Sequence, residues 1–145
     1  MKIRISRMRE DAVIPEFQSQ GAAGCDLRAC TDADTTSIAP GQTVLIGTGL
    51  AAAIPEGYFG AVFARSGLAL KEGLRPANCV GVIDADYRGE ICVALHNDSD
   101  TPRTVSRGDR IAQLVILPCL QAEFEEGPLD ETGRGAGGFG HTGRR

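Results

Sequence analysis

The sequence predicts an all-β sandwich or jelly roll. Its apolar runs are short, turn residues recur between them, and no amphipathic helix of three turns appears anywhere. The first expected strand, Lys2 to Ser6, opens the chain. Ala39-Pro40-Gly41 then precedes a strand over Thr43 to Leu50, and Ile54-Pro55-Glu56-Gly57 precedes one over Tyr58 to Ala64. A single helical turn is expected over Ser66 to Glu72, with Ser66 capping it, Leu68, Ala69 and Leu70 favouring it, and Gly73 stopping it. Cys79 to Ile83 reads as a strand that turns through Tyr87-Arg88-Gly89 and returns over Glu90 to His96, a β-hairpin. After Asn97 to Pro102 and Arg107-Gly108-Asp109, the last strand is expected over Arg110 to Leu117.

With 145 residues, 42% hydrophobic and 23% charged, the chain has the composition of one globular domain. Its formal net charge of -4 lacks the basic excess that draws proteins to duplex phosphates, so no nucleic-acid partner is expected. No apolar run approaches the roughly 18 residues of a membrane span, so no membrane partner and a cytoplasmic location are expected. Five cysteines, an odd number with no Cys-x-x-Cys pair, agree with that compartment. Cys79, Cys92 and Cys119 lie among aliphatic residues and read as small buried hydrophobes. His96 and His141 fall at no zinc-like spacing from them.

The C-terminal end changes character. Five acids (Glu123, Glu125, Glu126, Asp130, Glu131) are followed by a segment with three arginines and no acid, and seven of the 19 glycines follow from Gly127 onward. That glycine content costs too much backbone entropy to order alone. The expected division is therefore a β domain over 1–126 and a mobile arm over 127–145. The arm reads either as a solvated tail or, with Phe139 and its cations, as a closure over an anionic ligand carrying a ring.

Five strings carry the candidate chemistry. The Gly-x-Gly-x-x-Gly pattern at 135–140 is not a dinucleotide fingerprint, because the chain ends five residues later and no βαβ unit surrounds it. What remains is a loop able to bring N–H groups and Arg134 to phosphates. Arg65-Ser66-Gly67 offers a guanidinium, a hydroxyl and free N–H groups for an anion, or simply a capped turn. Asp84 ends the run Val80 to Ile83, where a carboxylate can hold a water, or merely belongs to a polar turn. Asp26 and Gln113 are lone polar residues in apolar strings, readable as satisfied core groups.

Together and in this order, AAGCDLRA at 22–29, ARSGLA at 64–69, GVIDADYRGEI at 81–91, GDRIAQL at 108–114 and RGAGGFGHTG at 134–143 resemble the five motifs of the trimeric dUTPase family. The resemblance spans nearly the whole chain. It implies a jelly-roll homotrimer whose shared sites, closed by an arm, hydrolyse dUTP to dUMP and pyrophosphate with Mg2+. That reaction supplies dUMP for thymidylate synthesis and limits uracil in DNA. By the same resemblance Asp84 activates the water that attacks the α-phosphorus, in a reaction resting on positioning and on cations aimed at the developing charge.

The remaining roles follow from the matched positions. Arg65, Ser66, Gly67 and Gln113 hold phosphates, Arg134, His141 and Thr142 grip the γ end, and Phe139 stacks on uracil. Asp26 reaches the metal through water, which suits an ion that keeps few protein ligands. Asn78, Gly81, Val82 and Ile83 present polar groups to the uracil edge, where cytosine would mispair and a thymine methyl would collide with the turn. Tyr87 packs under the sugar and leaves no room for a 2'-hydroxyl. Cys25 stands where the family usually has an aromatic, and His141 where Ser or Thr is also frequent. The related deaminases of dCTP carry a second serine in place of Gly67 and need a glutamate at the base, and a non-catalytic nucleotide sensor would be expected to lack Asp84 or the arm.

Overall fold

The computed structural model describes residues 1–138 and His141. In chain order the elements are β1 (Arg4–Arg7), β2 (Cys25–Arg28), β3 (Thr35–Ile38), β4 (Thr43–Gly47), β5 (Leu50–Ala53) and β6 (Tyr58–Phe63). They continue with α1 (Ser66–Glu72), β7 (Leu74–Pro76), β8 (Val80–Ile83), β9 (Cys92–Asn97), β10 (Arg103–Ser106) and β11 (Arg110–Pro118). All pairings are antiparallel. One sheet runs β2-β11-β6-β8 and another β4-β9-β7, while β1 pairs β5 and β10 pairs β3. This is the expected all-β class, with one short helix.

The core forms where alternate residues of these strands face one another. Leu27, Ile38, Ile46, Val62, Ile91, Val93, Leu95, Ile111 and Leu114 are all buried in it. Strand β9 shows the period-two pattern best, with Val93, Leu95 and Asn97 inward and their neighbours half-buried. Asn97 is a polar member of that core, and it is satisfied. Its amide donates to the carbonyls of Ile38 and Thr101, and its oxygen accepts from the Ser99 N–H and hydroxyl.

Several sequence expectations are corrected. Residues 81–91 do not form a hairpin, because β8 pairs β6 whereas β9 pairs β4 and β7 in the other sheet. The segment crosses between sheets because Ile91 buries its side chain and is tied to the β4–β5 corner, its N–H donating to Leu50 and its carbonyl accepting from Thr48. The strand expected over Thr43 to Leu50 breaks at Gly49, whose φ of 67° is left-handed. Ser66 does not cap α1. The cap position is Arg65, with no side-chain capping bond, though Gly73 ends the helix in the left-handed region as expected. Nor are Cys79, Cys92 and Cys119 buried: Cys79 and Cys119 are exposed and Cys92 is half-buried, whereas Cys30 is the buried thiol. Cys79 lies in a left-handed turn before β8, where it is exposed.

Beyond Pro118 no strand or helix follows among the described residues, and residues 119–136 are exposed. Leu120, Phe124 and Leu129 are each more than 90% exposed.

Candidate active site

Strands β2, β11 and β6 bring three of the expected residues to one end of their sheet. Asp26 on β2 lies directly opposite Gln113 on β11, and Gln113 is in turn opposite Phe63, two residues before Arg65. The Asp26 carboxylate, with only 4% of its side chain exposed, is held from three sides. Arg65 donates through Nε at 2.9 Å, Arg110 through Nη1 at 3.2 Å, and Gln113 through Nε2 at 3.5 Å. A buried carboxylate needs such partners, because desolvation without them costs several kcal/mol.

Arg110 was not among the residues expected at the site. It reaches Asp26 because a β-bulge between Arg110 and Ala112 turns it toward β2. Its presence in GDRIAQL was visible, but the bulge that aims it was not. Two guanidinium groups against one carboxylate leave this trio with an excess of positive charge, with Glu72 and Asp109 lining the cavity beside it. Arg65 also donates through Nη1 to the Arg110 carbonyl at 3.2 Å, and among the described residues its Nη2 makes no hydrogen bond.

Ser66 and Gly67 follow at the start of α1, both exposed. A Cβ placed on Gly67 would meet nothing within 4 Å, so a ligand has an unobstructed approach to this backbone. Cys25, beside Asp26, is half-buried, its thiol donating toward the Leu114 carbonyl at 3.5 Å. Burial pushes that thiol up, with a smaller contribution from the neighbouring Asp26 charge, which keeps it protonated and packed in place of a larger side chain.

Strand β8 carries the next group. Gly81 lies against β6, where a Cβ would come within 3.1 Å of the Val62 side chain, so a larger residue there would press on β6. Val80 and Val82 face outward, Val82 being 60% exposed. Asn78 precedes β8 near the Arg65 end, since Val80 pairs with Phe63. Ile83 pairs with Gly60 at the other end, and Asp84 follows it. About six residues of strand, roughly 20 Å at about 3.3 Å per residue, therefore separate Asp84 from the level of Arg65 within one chain.

Asp84 is exposed and opens on a concavity of about 740 Å3 shared with Glu56, Tyr58, Asp86, Arg88 and Leu120. No side-chain or backbone group donates to its carboxylate among the described residues. The Tyr87 N–H closes the turn onto the Asp84 carbonyl at 3.2 Å, and the Tyr87 hydroxyl donates to the Glu90 carbonyl at 2.9 Å. Tyr87 and Asp84 are thus brought together, whereas Asp84 and the Asp26 cluster are not.

The described arm residues make local contacts. Arg134 donates through Nε to the Gly137 carbonyl at 2.8 Å, and the His141 N–H donates to Gly138 at 3.2 Å. Phe139 and Thr142 lie outside the described residues. For magnesium, no three His, Cys, Asp or Glu side chains converge among the described residues. Asp26, already accepting from three donors, fits a water-mediated contact to an ion carried by phosphates rather than direct ligation. No helix among the described residues is long and apolar enough to cross a membrane.

Comparison with known proteins extends this picture. A sequence model of the dUTPase family matches residues 10–143. The chain is 54% identical over 147 residues to the deoxyuridine 5'-triphosphate nucleotidohydrolase of Desulfitobacterium hafniense, covering 99% of this chain and 97% of that one. It is 54% identical over 138 residues to the enzyme of the same name from Desulfotalea psychrophila, covering 94% and 91%. Among solved structures it is similar to the Staphylococcus bacteriophage 80alpha dUTPase with dUPNHPP, with a TM-score of 0.88 and 29% identity over 98% of both chains. It also resembles a mutant dUTPase from S. aureus phage phi11, described as revealing the coordination of a structural Mg(II) ion. That match has a TM-score of 0.81 and 26% identity, covering 91% of this chain and all of that one.

Proposed function

The chain belongs to the dUTPase family, whose enzymes hydrolyse dUTP, and from that premise we propose a site completed only between copies of the chain, in which Asp84 of one copy serves the phosphate corner of another. The observation that carries this reading is the separation of Asp84 from the Asp26, Arg65, Arg110 and Gln113 cluster by roughly 20 Å of strand. Both halves are chemically intact, yet one chain cannot bring them to one phosphorus. A homotrimer is the assembly the family resemblance implies, and a closed ring gives every copy both roles. The exposed Val80, Val82 and Leu70 supply apolar surface for such contacts.

In this mechanism the products are dUMP and pyrophosphate. Asp84, with no competing donor among the described residues, orients the attacking water and accepts its proton. Arg65, Gln113 and the open backbone of Ser66 and Gly67 bind phosphate oxygens and meet the charge that builds on them during in-line attack. Mg2+, held by the triphosphate and reached by Asp26 through water, would neutralise phosphate charge when bound. Arg134, His141 and Thr142 of the arm, 127–145, grip the terminal phosphate, and Phe139 covers the uracil and excludes water. The strand from Asn78 through Gly81, Val82 and Ile83 reads the uracil edge, and Tyr87 backs the sugar. The reaction would take place in the cytoplasm, feed dUMP to thymidylate synthesis and limit uracil incorporation.

The test is pyrophosphate release from dUTP, dCTP, dTTP and UTP with Mg2+, with ammonia release from dCTP followed in parallel. Release from dUTP alone is the expected result. Ammonia from dCTP, or equal turnover of all four nucleotides, contradicts the reading of the uracil edge and the sugar wall.

A further inference from the structure

We propose that Glu90 is a positioning residue that fixes the ring of Tyr87 and thereby sets how strictly the enzyme rejects ribose. The inference rests on the reading of Tyr87 as the wall beneath the sugar. Tyr87 is 43% exposed on a turn, where a ring is ordinarily free to swing. Here its hydroxyl donates to the main-chain carbonyl of Glu90 at 2.9 Å. The ring folds back over Gly89, where a Cβ would come within 2.5 Å of the hydroxyl oxygen, so only glycine permits this rotamer. The orientation of Tyr87 therefore depends on where the Glu90 backbone is held.

That backbone is held from the opposite sheet. The Glu90 carboxylate accepts the Gly49 N–H at 2.6 Å, a charge-assisted bond to the left-handed corner between β4 and β5. Its Oε1 lies 2.5 Å from where a Cβ of Gly47 would stand, so the carboxylate fills a slot that glycine leaves open. On the next residue, Thr48 donates through its hydroxyl to the Ile91 carbonyl at 2.6 Å, and the Ile91 N–H donates to Leu50 at 2.7 Å. These bonds pin residues 90 and 91 to residues 48–50. Glu90 links the two, its side chain reaching the corner while its carbonyl reaches Tyr87. Asp84 depends on it less, because the Asp84 turn is closed by the Tyr87 N–H rather than by the hydroxyl.

The experiment measures kcat and KM for dUTP and UTP, with melting temperature, in full-length Glu90→Ala, Glu90→Gln, Tyr87→Phe and Tyr87→Ala proteins. Glu90→Ala is expected to lower the dUTP-to-UTP ratio of kcat/KM by about tenfold, mainly through KM, as a loosened wall admits the extra hydroxyl. Glu90→Gln, whose amide oxygen still accepts the Gly49 N–H, is expected to keep the ratio. A purely structural role would instead lower melting temperature and turnover of both nucleotides while leaving the ratio fixed, and that result overturns the inference. Where Glu90→Ala fails to fold, Tyr87→Phe cuts the same link from its other end and must show the same loss of selectivity; an unchanged ratio there is equally fatal. Should Tyr87→Ala leave the ratio intact, the sugar reading fails and takes the Glu90 role with it. A ratio altered by Tyr87→Ala but not by Glu90→Ala removes the Glu90 role alone.

Discussion

Two carboxylates, Asp26 and Asp84, sit at opposite ends of one four-stranded sheet, and the protein treats them in opposite ways. Asp26 is buried and accepts from two guanidinium groups and an amide; Asp84 is exposed and accepts from none among the described residues. A carboxylate surrounded by donors is committed to holding cations in place. One left with free lone pairs can take a proton from water. The difference separates a binding corner from a reacting group before any ligand is considered.

Breaking the Asp84 end should have the largest effect. Asp84→Asn is expected to cut kcat by on the order of a thousandfold while leaving binding of a non-hydrolysable dUTP analogue near normal. Calorimetry paired with turnover separates the two, and weakened binding with matching loss of rate would move Asp84 into the binding corner. Removal of the arm after Glu131 comes next: a folded protein whose kcat/KM falls by about a hundredfold, read from circular dichroism and steady-state kinetics. Full activity would remove Arg134, Phe139, His141 and Thr142 from the reaction.

At the other end, Asp26→Asn should act on stability as much as on rate. It leaves Arg65 and Arg110 facing each other without a counter-charge, at a cost of about 2 kcal/mol once their partial exposure is allowed for. Thermal melting checks this, and an unshifted transition would mean that the cluster does not hold the corner together. The smallest effect lies away from both ends, at Asp98. The hydrogen bond from Arg75 holds its carboxyl below the ordinary value of 3.8, so its contribution is complete above that pH and is lost as pH falls through the lowered folded-state value. Melting temperature against pH should lose that acid limb in Asp98→Asn: the variant melts slightly below the parent at neutral pH, a small deficit because the pair is exposed, and the two curves converge at acid pH.

The sequence made some of this legible for definite reasons. Long strands such as β6, β9 and β11 carry apolar runs between turn residues, so each was recognisable. Strands β3, β7 and β10 are three or four residues long, each with a single aliphatic (Ile38, Leu74 or Val105) among Thr, Ser, Arg or Pro, so their identity as strands comes from their partners rather than their own pattern. The crossing of residues 84–91 between sheets was hidden because a polar turn looks the same whether the chain returns beside itself or leaves. At the site, a lone Asp26 in an apolar string fits a core group and a ligand-binding group equally well, and the structure shows it as a buried clamp for arginines. Arg110 and Glu90 depend on a bulge and on a bond across 41 residues of chain, neither of which has a local signature.

The claim that the site is shared between copies is tested most directly by complementation. Asp84→Asn and Arg65→Gln proteins, each nearly inactive alone, are mixed, unfolded and refolded together, and dUTP turnover is measured. With shared sites, about a quarter of the sites in a random mixture join an intact Asp84 to an intact Arg65 on a neighbouring copy, so turnover should recover to about a quarter of the unaltered enzyme's. If instead each chain supplied both groups to its own site, every site would keep one defect, and the mixture would stay as inactive as its parts.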